Sequence, residues 1–596
     1  MSAAEAPPRG AAAPSWEPWA VGAVVALYLF SRIWKLMLLP VFLDEAIHLD
    51  WAFRTAATGR LIGLTDGGRY LPIWIYAAVA GGAADPLRAA RLCSVASGLA
   101  SVLGLAWLGR LLHSARAGVL AAFLYVAAPF ALVYDRMALV DAPLAALVVY
   151  ALVFVVLWSR TTRRGWAIAL GLTAGAAGLT KLSGLLLLPL PALVVLGSRG
   201  AGRGRLAAQM AWIYAIAFLL LVPLFVDVAG TGRFLGENLW VLQSGPGGSS
   251  FIPRNARLAV AWLVAYFTPL GAAVVGLALV WALLGRARAD LLLASVAAGW
   301  CLFFVLAGGR YWFPRYVLPA VPPLLLLVAR AAARVGRGAA WAVAGLLAAS
   351  WLRFDAALIT DPARAPLPPV ERSQYVYDWP SGYGVAEAAG ALREAAGRHP
   401  IVVLRDQSSG SLKEGLDLAL RRRRAPIEIV DAPLKAGDSA GAIEPLLVSG
   451  RPVILAVDET VDGQLVLSLD GRRALLPMAA FSKPDARRQV ALYAVAGEDG
   501  PQKPAVTPAS AGSDGGEGWD LIRQGRWAEA EPAFRAALSR DASIAAAHNG
   551  LGVSLWMQGR REEAVRSLSE ALRRDPDEVR AGFNLDVARN ATRRGR

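Results

Sequence analysis

Residues 142–158 read Ala-Pro-Leu-Ala-Ala-Leu-Val-Val-Tyr-Ala-Leu-Val-Phe-Val-Val-Leu-Trp, with no charged side chain among them. A helix that crosses the hydrocarbon core of a bilayer needs about 20 predominantly apolar residues. Apolar runs of this kind recur from Trp19 to Leu352, and a soluble protein would leave them facing water. The chain is therefore expected to be a polytopic α-helical membrane protein.

The apolar runs predict about 11 transmembrane helices. Their predicted bounds are 19–39, 91–112, 117–134, 142–158, 166–180, 183–197, 206–227, 258–284, 290–308, 314–333 and 339–353. Two segments depart from the simple pattern. Tyr70–Ala80 is too short to cross and is expected at the interface, and Lys181 divides the long run from Trp166 to Gly197 into two short helices.

Basic residues set the predicted orientation. The chain has 61 Lys and Arg against 45 Asp and Glu, a formal net charge of +16, but no basic patch with interleaved aromatics, which argues against a nucleic-acid partner. Many basic residues lie in alternate short loops, which the positive-inside rule assigns to the cytoplasm. They are Arg110, Arg116, Arg160, Arg163, Arg164, Arg203, Arg205, Arg286, Arg288 and those from Arg330 to Arg337. The prediction is a multi-pass protein of the cell (inner) membrane, with residues 1–18 as a cytoplasmic tail and the C-terminal domains extracytoplasmic.

The C-terminal third is predicted to hold two soluble units. Over residues 371–497, helical patterns alternate with β-rich runs, which predicts a small α/β domain with a partly parallel sheet. Residues 498–517 are rich in Gly, Pro, Ser and Ala and are expected to form a linker. The segment 518–596 contains an internal repeat, because Gly525-Arg-Trp-Ala-Glu-Ala recurs as Gly559-Arg-Arg-Glu-Glu-Ala, and 559 minus 525 is 34. This period is typical of tetratricopeptide helix pairs.

Acidic residues follow two of the predicted outward helix ends. Asp44 and Glu45 come directly after the first span, and Asp141 precedes an apolar run. Each has an ordinary structural interpretation: the first two as a solvated helix boundary, and Asp141 as a helix N-cap followed by Pro143. Charged groups kept beside hydrocarbon usually face a cavity, and a carboxylate there can accept a proton from an attacking hydroxyl. Position alone leaves both interpretations open.

Cations accompany these acids on the same predicted side of the membrane. A single Lys or Arg at a helix end usually extends its charge into water. Several on one face beside carboxylates favour a site for a phosphate attached to a lipid tail. The candidates are Arg69, Lys181, Arg310 and Arg315, with the neighbouring Tyr311 and Tyr316.

These features together resemble the C-type glycosyltransferase superfamily. The resemblance is carried by Asp44-Glu45, the loop ending in Asp141, the Thr180-Lys181 break and the run Arg310-Tyr311…Arg315-Tyr316…Pro319. It covers roughly residues 19–353 and is strongest to protein O-mannosyltransferases and to the bacterial transferase that adds aminoarabinose to lipid A. It implies transfer of a sugar from a polyprenyl-phosphate carrier to an acceptor glycan, lipid or protein outside the cytoplasm.

The resemblance also implies roles for single residues. Asp44 would be the general base or its close partner, Glu45 would orient acceptor or donor, and Asp141 would be the second acidic residue of the site. Lys181, Arg310 and Arg315 would hold the carrier phosphate, supported by Tyr311 and Tyr316. Arg69 stands where the aminoarabinose-type enzymes have Lys-Pro-Pro, so Arg69-Tyr-Leu-Pro72 keeps the charge but departs from the motif. Trp379-Pro-Ser-Gly-Tyr-Gly384 also resembles a stretch in some bacterial members, without assigned chemistry.

Other functions and ligands remain open at this level. A lipid or glycan transporter is the main alternative, although its charges would be expected near the midplane within inverted repeats. A membrane-anchored scaffold that works through the tetratricopeptide module, and recruits a protein partner, is a third. No residue is assigned to a metal, although a divalent ion is not excluded, and His48 is expected to be hydrogen-bonded or packed in preference to ligating one. Cys93 and Cys301 lie in apolar segments, where no disulfide framework is expected.

Overall fold

The computed structural model is mostly helical, with one small sheet. It describes residues 14–65, 68–198, 202–231, 251–309, 312–397, 399–406, 410–421, 426–432, 452–460, 475–485, 487–495, 516–523, 526–575, 581, 584 and 585. The chain divides into two compact units. The first comprises Met1–Leu39 and Ile47–Arg372, and the second comprises Pro40–Ala46 and Ser373–Arg596.

The first unit is built from helices. They are α1 Glu17–Ile33, α2 Leu43–Thr58 (whose first turn belongs to the second unit), α3 Tyr70–Ala80, α4 Pro86–Leu112, α5 Ala115–Ala127, α6 Pro129–Tyr134, α7 Asp141–Thr161, α8 Arg164–Thr180, α9 Pro189–Gly197, α10 Gly202–Thr231, α11 Ile252–Gly285, α12 Arg288–Ala307, α13 Val321–Val335, α14 Arg337–Thr360 and α15 Pro369–Arg372. Short 3-10 helices cover Leu182–Leu187, Pro314–Ala320 and Pro362–Arg364.

Within the described residues, seven helices are long and apolar enough to cross a membrane. They are Pro86–Leu112, Asp141–Thr161, Gly202–Gly230, Ile252–Gly285, Arg288–Ala307, Pro314–Val335 and Arg337–Thr360. Some turn large apolar side chains outward: on α10, Trp212 is 60% exposed and Leu219 is 71% exposed. Only hydrocarbon covers such a surface favourably, so the protein is a multi-pass membrane protein. The total of about 11 spans stays a prediction.

Small residues let α4 and α5 approach closely. A Cβ added to Gly109 would lie 2.4 Å from the Gly118 Cα, and one added to Gly118 would lie 2.2 Å from the Ala106 carbonyl oxygen. Helices in a bilayer gain little from the hydrophobic effect and associate through such close packing. A methyl group at either glycine would force the two helices apart.

Several predicted spans end or break where the local backbone requires it. The predicted 19–39 helix ends at Ile33, and Lys35 has a φ of 48°. The predicted 117–134 helix is two helices, because Pro129 disfavours the helical conformation at Ala128, which is extended. The predicted division at Lys181 is confirmed: α8 ends at Thr180 and Lys181 is extended. Tyr70–Ala80 forms an 11-residue helix, and its place at the interface stays a prediction.

Several predicted loop arginines lie in helices instead, and Arg330 is a buried one. Arg330 lies inside α13, buried, and its Nε donates to Asp290 Oδ1 at 2.6 Å. Because a buried cation must be neutralised, Arg330 is part of the packing between α12 and α13. Its assignment to a loop was wrong.

The second unit contains the partly parallel sheet that the sequence predicts. The strands are β1 Ile401–Asp406, β2 Ile427–Ala432, β3 Val453–Thr460, β4 Leu475–Ser482 and β5 Arg488–Val495, with helices α16 Val385–Ala396 and α17 Gly410–Leu420. Their order is β2-β1-β3-β5-β4. β1 is parallel to β2 and β3, whereas β5 is antiparallel to β3 and β4. Strand β4 was not predicted.

The repeat forms helices at the same offset as the sequence motif. The helices are α18 Gly516–Arg523, α19 Trp527–Arg540, α20 Ala545–Met557 and α21 Arg561–Arg574. The bounds of α19 and α21 differ by 561 minus 527, which is 34 at both ends. Ala530 and Phe534 of α19 and their counterparts Ala564 and Leu568 share one buried core. The tetratricopeptide prediction is confirmed.

Candidate active site

The acidic pair Asp44-Glu45 occupies the first turn of α2. Asp44 is half-buried, whereas Glu45 is completely buried. Glu45 Oε2 accepts a 3.0 Å hydrogen bond from the backbone N–H of Phe42, the residue that precedes the helix. This is the carboxylate half of a capping box, and it satisfies a donor that the helix cannot. The contact gives Glu45 a local structural task, while the roles of both acids in a reaction stay predictions.

Asp141 and Lys181 form a buried ion pair in the first unit. Lys181 Nζ donates to Asp141 Oδ1 at 2.7 Å, and the two side chains are 12% and 3% exposed. Asp141 is the first residue of α7, and Val140 occupies the N-cap position. The interpretation of Asp141 as a helix N-cap is therefore wrong. The break after α8 is what allows Lys181 to leave the helix axis and reach this carboxylate.

Aromatic rings contact the Lys181 ammonium and the neighbouring Arg315 guanidinium. Lys181 Nζ lies 3.7 Å from the centre of the Tyr316 ring, the geometry of a cation–π contact. Arg315 Cζ lies 5.4 Å from the same ring and 4.5 Å from the Phe313 ring. Trp300 Nε1 donates to the Tyr316 carbonyl oxygen at 2.9 Å and steadies the 3-10 helix that carries both residues. Lys181, Arg315 and Tyr316 therefore lie together, while their role in holding a phosphate stays a prediction.

Arg69 completes a cluster of like charges. It precedes α3, and its Cζ lies 5.9 Å from the Trp51 ring. Arg69 and Arg315 both repel Lys181 electrostatically, whereas Asp141 attracts it. An anion placed among the three cations would relieve that repulsion, and a phosphate offers several oxygens to do so.

The predicted site residues are divided between the two compact units, and two of them lie outside the described residues. Asp44 and Glu45 belong to the second compact unit, whereas Arg69, Asp141, Lys181, Arg315 and Tyr316 belong to the first. Arg310 and Tyr311 fall outside the described residues. That all of them face one cavity stays a prediction.

Metal ligands are not grouped in the part of the chain that the structure describes. No three His, Cys, Asp or Glu side chains there lie close enough to hold an ion. His48 is 2% exposed, and its Nδ1 lies 3.1 Å from the Ala138 carbonyl oxygen. Hydrogen bonding, the favoured interpretation of this histidine, is what the structure shows.

Two buried arginines of the first unit were given no role by the sequence analysis. Arg136 donates to the carbonyl oxygens of Ser31, Trp34 and Lys35 at 2.7, 2.9 and 2.7 Å. Arg91 donates to the carbonyls of residues 36 and 39 at 3.1 and 2.8 Å. These carbonyls lie at and beyond the end of α1, where helical partners are lacking. The sequence feature that could have identified these two arginines was a charged residue beside an apolar run, since such a charge must find partners inside the protein.

Comparisons with known proteins show which families and folds this chain is similar to. Residues 70–226 match the family described as dolichyl-phosphate-mannose-protein mannosyltransferase, and residues 516–581 match the tetratricopeptide repeat. The solved structure of ArnT from Cupriavidus metallidurans bound to undecaprenyl phosphate is similar, with a TM-score of 0.56 and 18% identity over 81% of this chain and 98% of that chain. The structure of the same enzyme in the apo state has a TM-score of 0.52 and 19% identity, over 80% of this chain and 97% of that chain. The chain has the fold of these ArnT structures.

The likeness to ArnT extends beyond the membrane helices, since it covers 81% and 80% of this chain. No curated protein sequence matches the chain. The family and structural neighbours are glycosyltransferases, and the identities of 18% and 19% make the structural likeness one of fold. Which reaction the present chain performs must therefore be argued from its own site.

Proposed function

We propose that the protein is a glycosyltransferase that moves a sugar from a polyprenyl-phosphate donor to an acceptor on the extracytoplasmic side of the membrane. The observation that supports this most is the Asp141–Lys181 pair, with Tyr316 against the ammonium and Arg315 and Arg69 close by. This is a place for an anionic group at the end of apolar helices, which suits a phosphate carried on a lipid tail.

In the proposed reaction, Asp44 accepts the proton of the acceptor hydroxyl as its oxygen attacks the anomeric carbon. The bond between that carbon and the phosphate oxygen breaks, and its electron pair stays on the phosphate. Inversion at the anomeric carbon follows from attack opposite the leaving group. Lys181, Arg315 and Arg69, together with Arg310 and its neighbour Tyr311, would stabilise the added negative charge. Asp141 would act through Lys181, whose ammonium it orients.

A single-turnover assay with a radiolabelled polyprenyl-phosphate sugar tests the assignment of the base. Asp44→Asn should lower the transfer rate by about 10²–10⁴, the usual contribution of a general base. Asp50→Asn is the matched control, because Asp50 lies on the same helix and pairs with the largely exposed Arg54 at 2.8 Å. Undiminished transfer in Asp44→Asn would remove the proposed role of Asp44.

The same preparation in liposomes separates transfer from transport. A glycosyltransferase should release polyprenyl phosphate as the acceptor gains the sugar, in equal amounts. Movement of the labelled lipid across the bilayer without any new glycosidic bond would instead support the transporter.

A further inference from the structure

The segment Trp379–Gly384, to which the sequence assigned no chemistry, pairs with the chain immediately before the acidic residues. Phe42 and Ser381 form an antiparallel β-bridge, and the backbone N–H of Leu43 donates to the Pro380 carbonyl oxygen at 3.1 Å. Phe42 is 3% exposed and Ser381 is fully buried. The centres of the Phe42 and Tyr375 rings lie 4.8 Å apart, and the two rings are nearly perpendicular. All of these residues belong to the second compact unit.

Gly382 allows this pairing because no larger residue fits there. A Cβ at this position would lie 2.0 Å from the Val41 carbonyl oxygen and 2.9 Å from the Val41 carbonyl carbon and Cγ1. The nearest obstacle is backbone, so it cannot rotate away as a side chain could. Any side chain at position 382 would displace the segment that leads to Asp44.

A buried lysine holds the other side of the same turn. Lys483 Nζ donates to the carbonyl oxygens of Asp378 and Ser381 at 2.7 and 2.9 Å, and to Asp458 Oδ2 at 2.7 Å. An ammonium group has three donors, and these contacts use all of them. The side chains of Lys483 and Asp458 are 0% and 2% exposed. Ser411 Oγ also donates to the Ser381 carbonyl oxygen, at 2.7 Å.

We propose that Ser381, Gly382 and Lys483 are positioning residues through which the α/β sheet sets the place of Asp44 and Glu45. The path runs from Asp458 in β3 to Lys483, then to the Ser381 carbonyl, and across the bridge to Phe42. The Phe42 N–H is in turn the group that Glu45 caps. Residues on both sides of Asp44 are thus held by one hydrogen-bonded network. Our proposal rests on the proposed function only in calling Asp44 the base.

The position of Asp44 matters because the rate of a catalysed reaction falls when a reacting group is displaced by a small distance. A displacement of about 1 Å at a reacting group can cost roughly 100-fold in rate. A buried Lys–Asp pair is also expensive to desolvate and adds little net stability, so fixing one conformation is a reason to retain it. The α/β sheet would then be part of the catalytic apparatus.

The experiment compares Gly382→Ala and Lys483→Met with Gly390→Ala and Lys413→Met in the full-length protein. A Cβ at Gly390 would meet no atom within 4 Å, and the Lys413 side chain is 33% exposed, so both controls leave the network intact. The two test variants should lose at least tenfold in kcat, with the KM for the donor lipid changed by less than about threefold, since the cations stay in place. Equal kcat in test and control variants would overturn the proposal.

A second readout works even if a test variant is inactive or Asp44 is not the base. Asp44→Cys is placed in a chain whose Cys93 and Cys301 are replaced by serine, and the rate of its modification by a water-soluble maleimide is measured. Adding Gly382→Ala should change that rate several-fold, whereas adding Gly390→Ala should leave it unaltered. The same rate in both would refute positioning by Gly382. Loss of transfer in Asp44→Asn is a separate result, so failure of the proposed function and of this inference can be told apart.

Discussion

Lys181 Nζ and Asp141 Oδ1 lie 2.7 Å apart although 40 residues separate the two in the chain. Asp141 is the first residue of α7, and Lys181 is the extended residue between α8 and the following 3-10 helix. The pair is buried, so each partner has given up water for the other. Single and double substitutions of the pair should therefore differ in their effect on protein stability, whereas all of them should lower activity.

Removing one partner of the pair should destabilise the protein more than removing both. Lys181→Met or Asp141→Asn leaves one buried charge without its counter-ion, at a cost of about 3–5 kcal/mol, whereas the double variant leaves none. Thermal unfolding in detergent should therefore rank the double variant above both single variants. Transfer should be low in all three, because the ammonium or its orientation is missing. A double variant less stable than either single one would contradict the pairing.

The ring of Tyr316 should matter more than its hydroxyl. Tyr316→Phe keeps an aromatic face 3.7 Å from the Lys181 ammonium, and Tyr316→Leu removes it. A cation–π contact is worth about 0.5–2 kcal/mol, so we expect a several-fold higher KM for the donor in the Leu variant than in the Phe variant. Donor titrations of transfer measure the difference. Identical KM values would show that the ring does not hold the cation.

Arg136→Met should lower thermal stability strongly. Its guanidinium donates to three carbonyl groups at the end of α1, and each buried acceptor left without a donor costs about 1–3 kcal/mol. Arg54→Met is the matched control, because the Arg54 side chain is 63% exposed and its pairing with Asp50 contributes little. The unfolding temperatures of the two variants give the comparison. Equal values would mean that the carbonyls find other donors.

Sidedness can be measured with introduced cysteines. In a background lacking Cys93 and Cys301, Asp44→Cys and Arg310→Cys should react with a membrane-impermeant maleimide from outside the cell. Arg163→Cys, in a predicted cytoplasmic loop, should react only after the membrane is opened. Labelling of positions 44 and 310 from opposite sides would exclude a shared reaction centre.

The tetratricopeptide module is expected to choose partners and to leave the chemistry unchanged. Deleting residues 515–596 should preserve transfer to a small soluble acceptor while reducing capture of the native acceptor or partner protein, since such helix pairs usually offer a concave binding surface. Competition between the two acceptors, assayed with and without the module, measures the effect. Unaltered acceptor choice and complex formation would refute this role.

The sequence predicted secondary structure where that structure depends on residues close to each other along the chain. Apolar length predicted the membrane helices, alternation predicted most of the sheet, and the 34-residue period placed α19 and α21. The break at Lys181 was equally local. These features follow from backbone geometry and burial of side chains within one segment, which a pattern of residues records directly.

Contacts between distant segments were decided only by the tertiary structure. The sequence could name Asp141 and Lys181 but not pair them, and it could not foresee that Glu45 caps its own helix. It recorded Trp379–Gly384 without a task, although Ser381 lies against Phe42. A buried polar group must find a partner, but which partner it meets depends on how the helices and the sheet pack, and no local pattern encodes that choice.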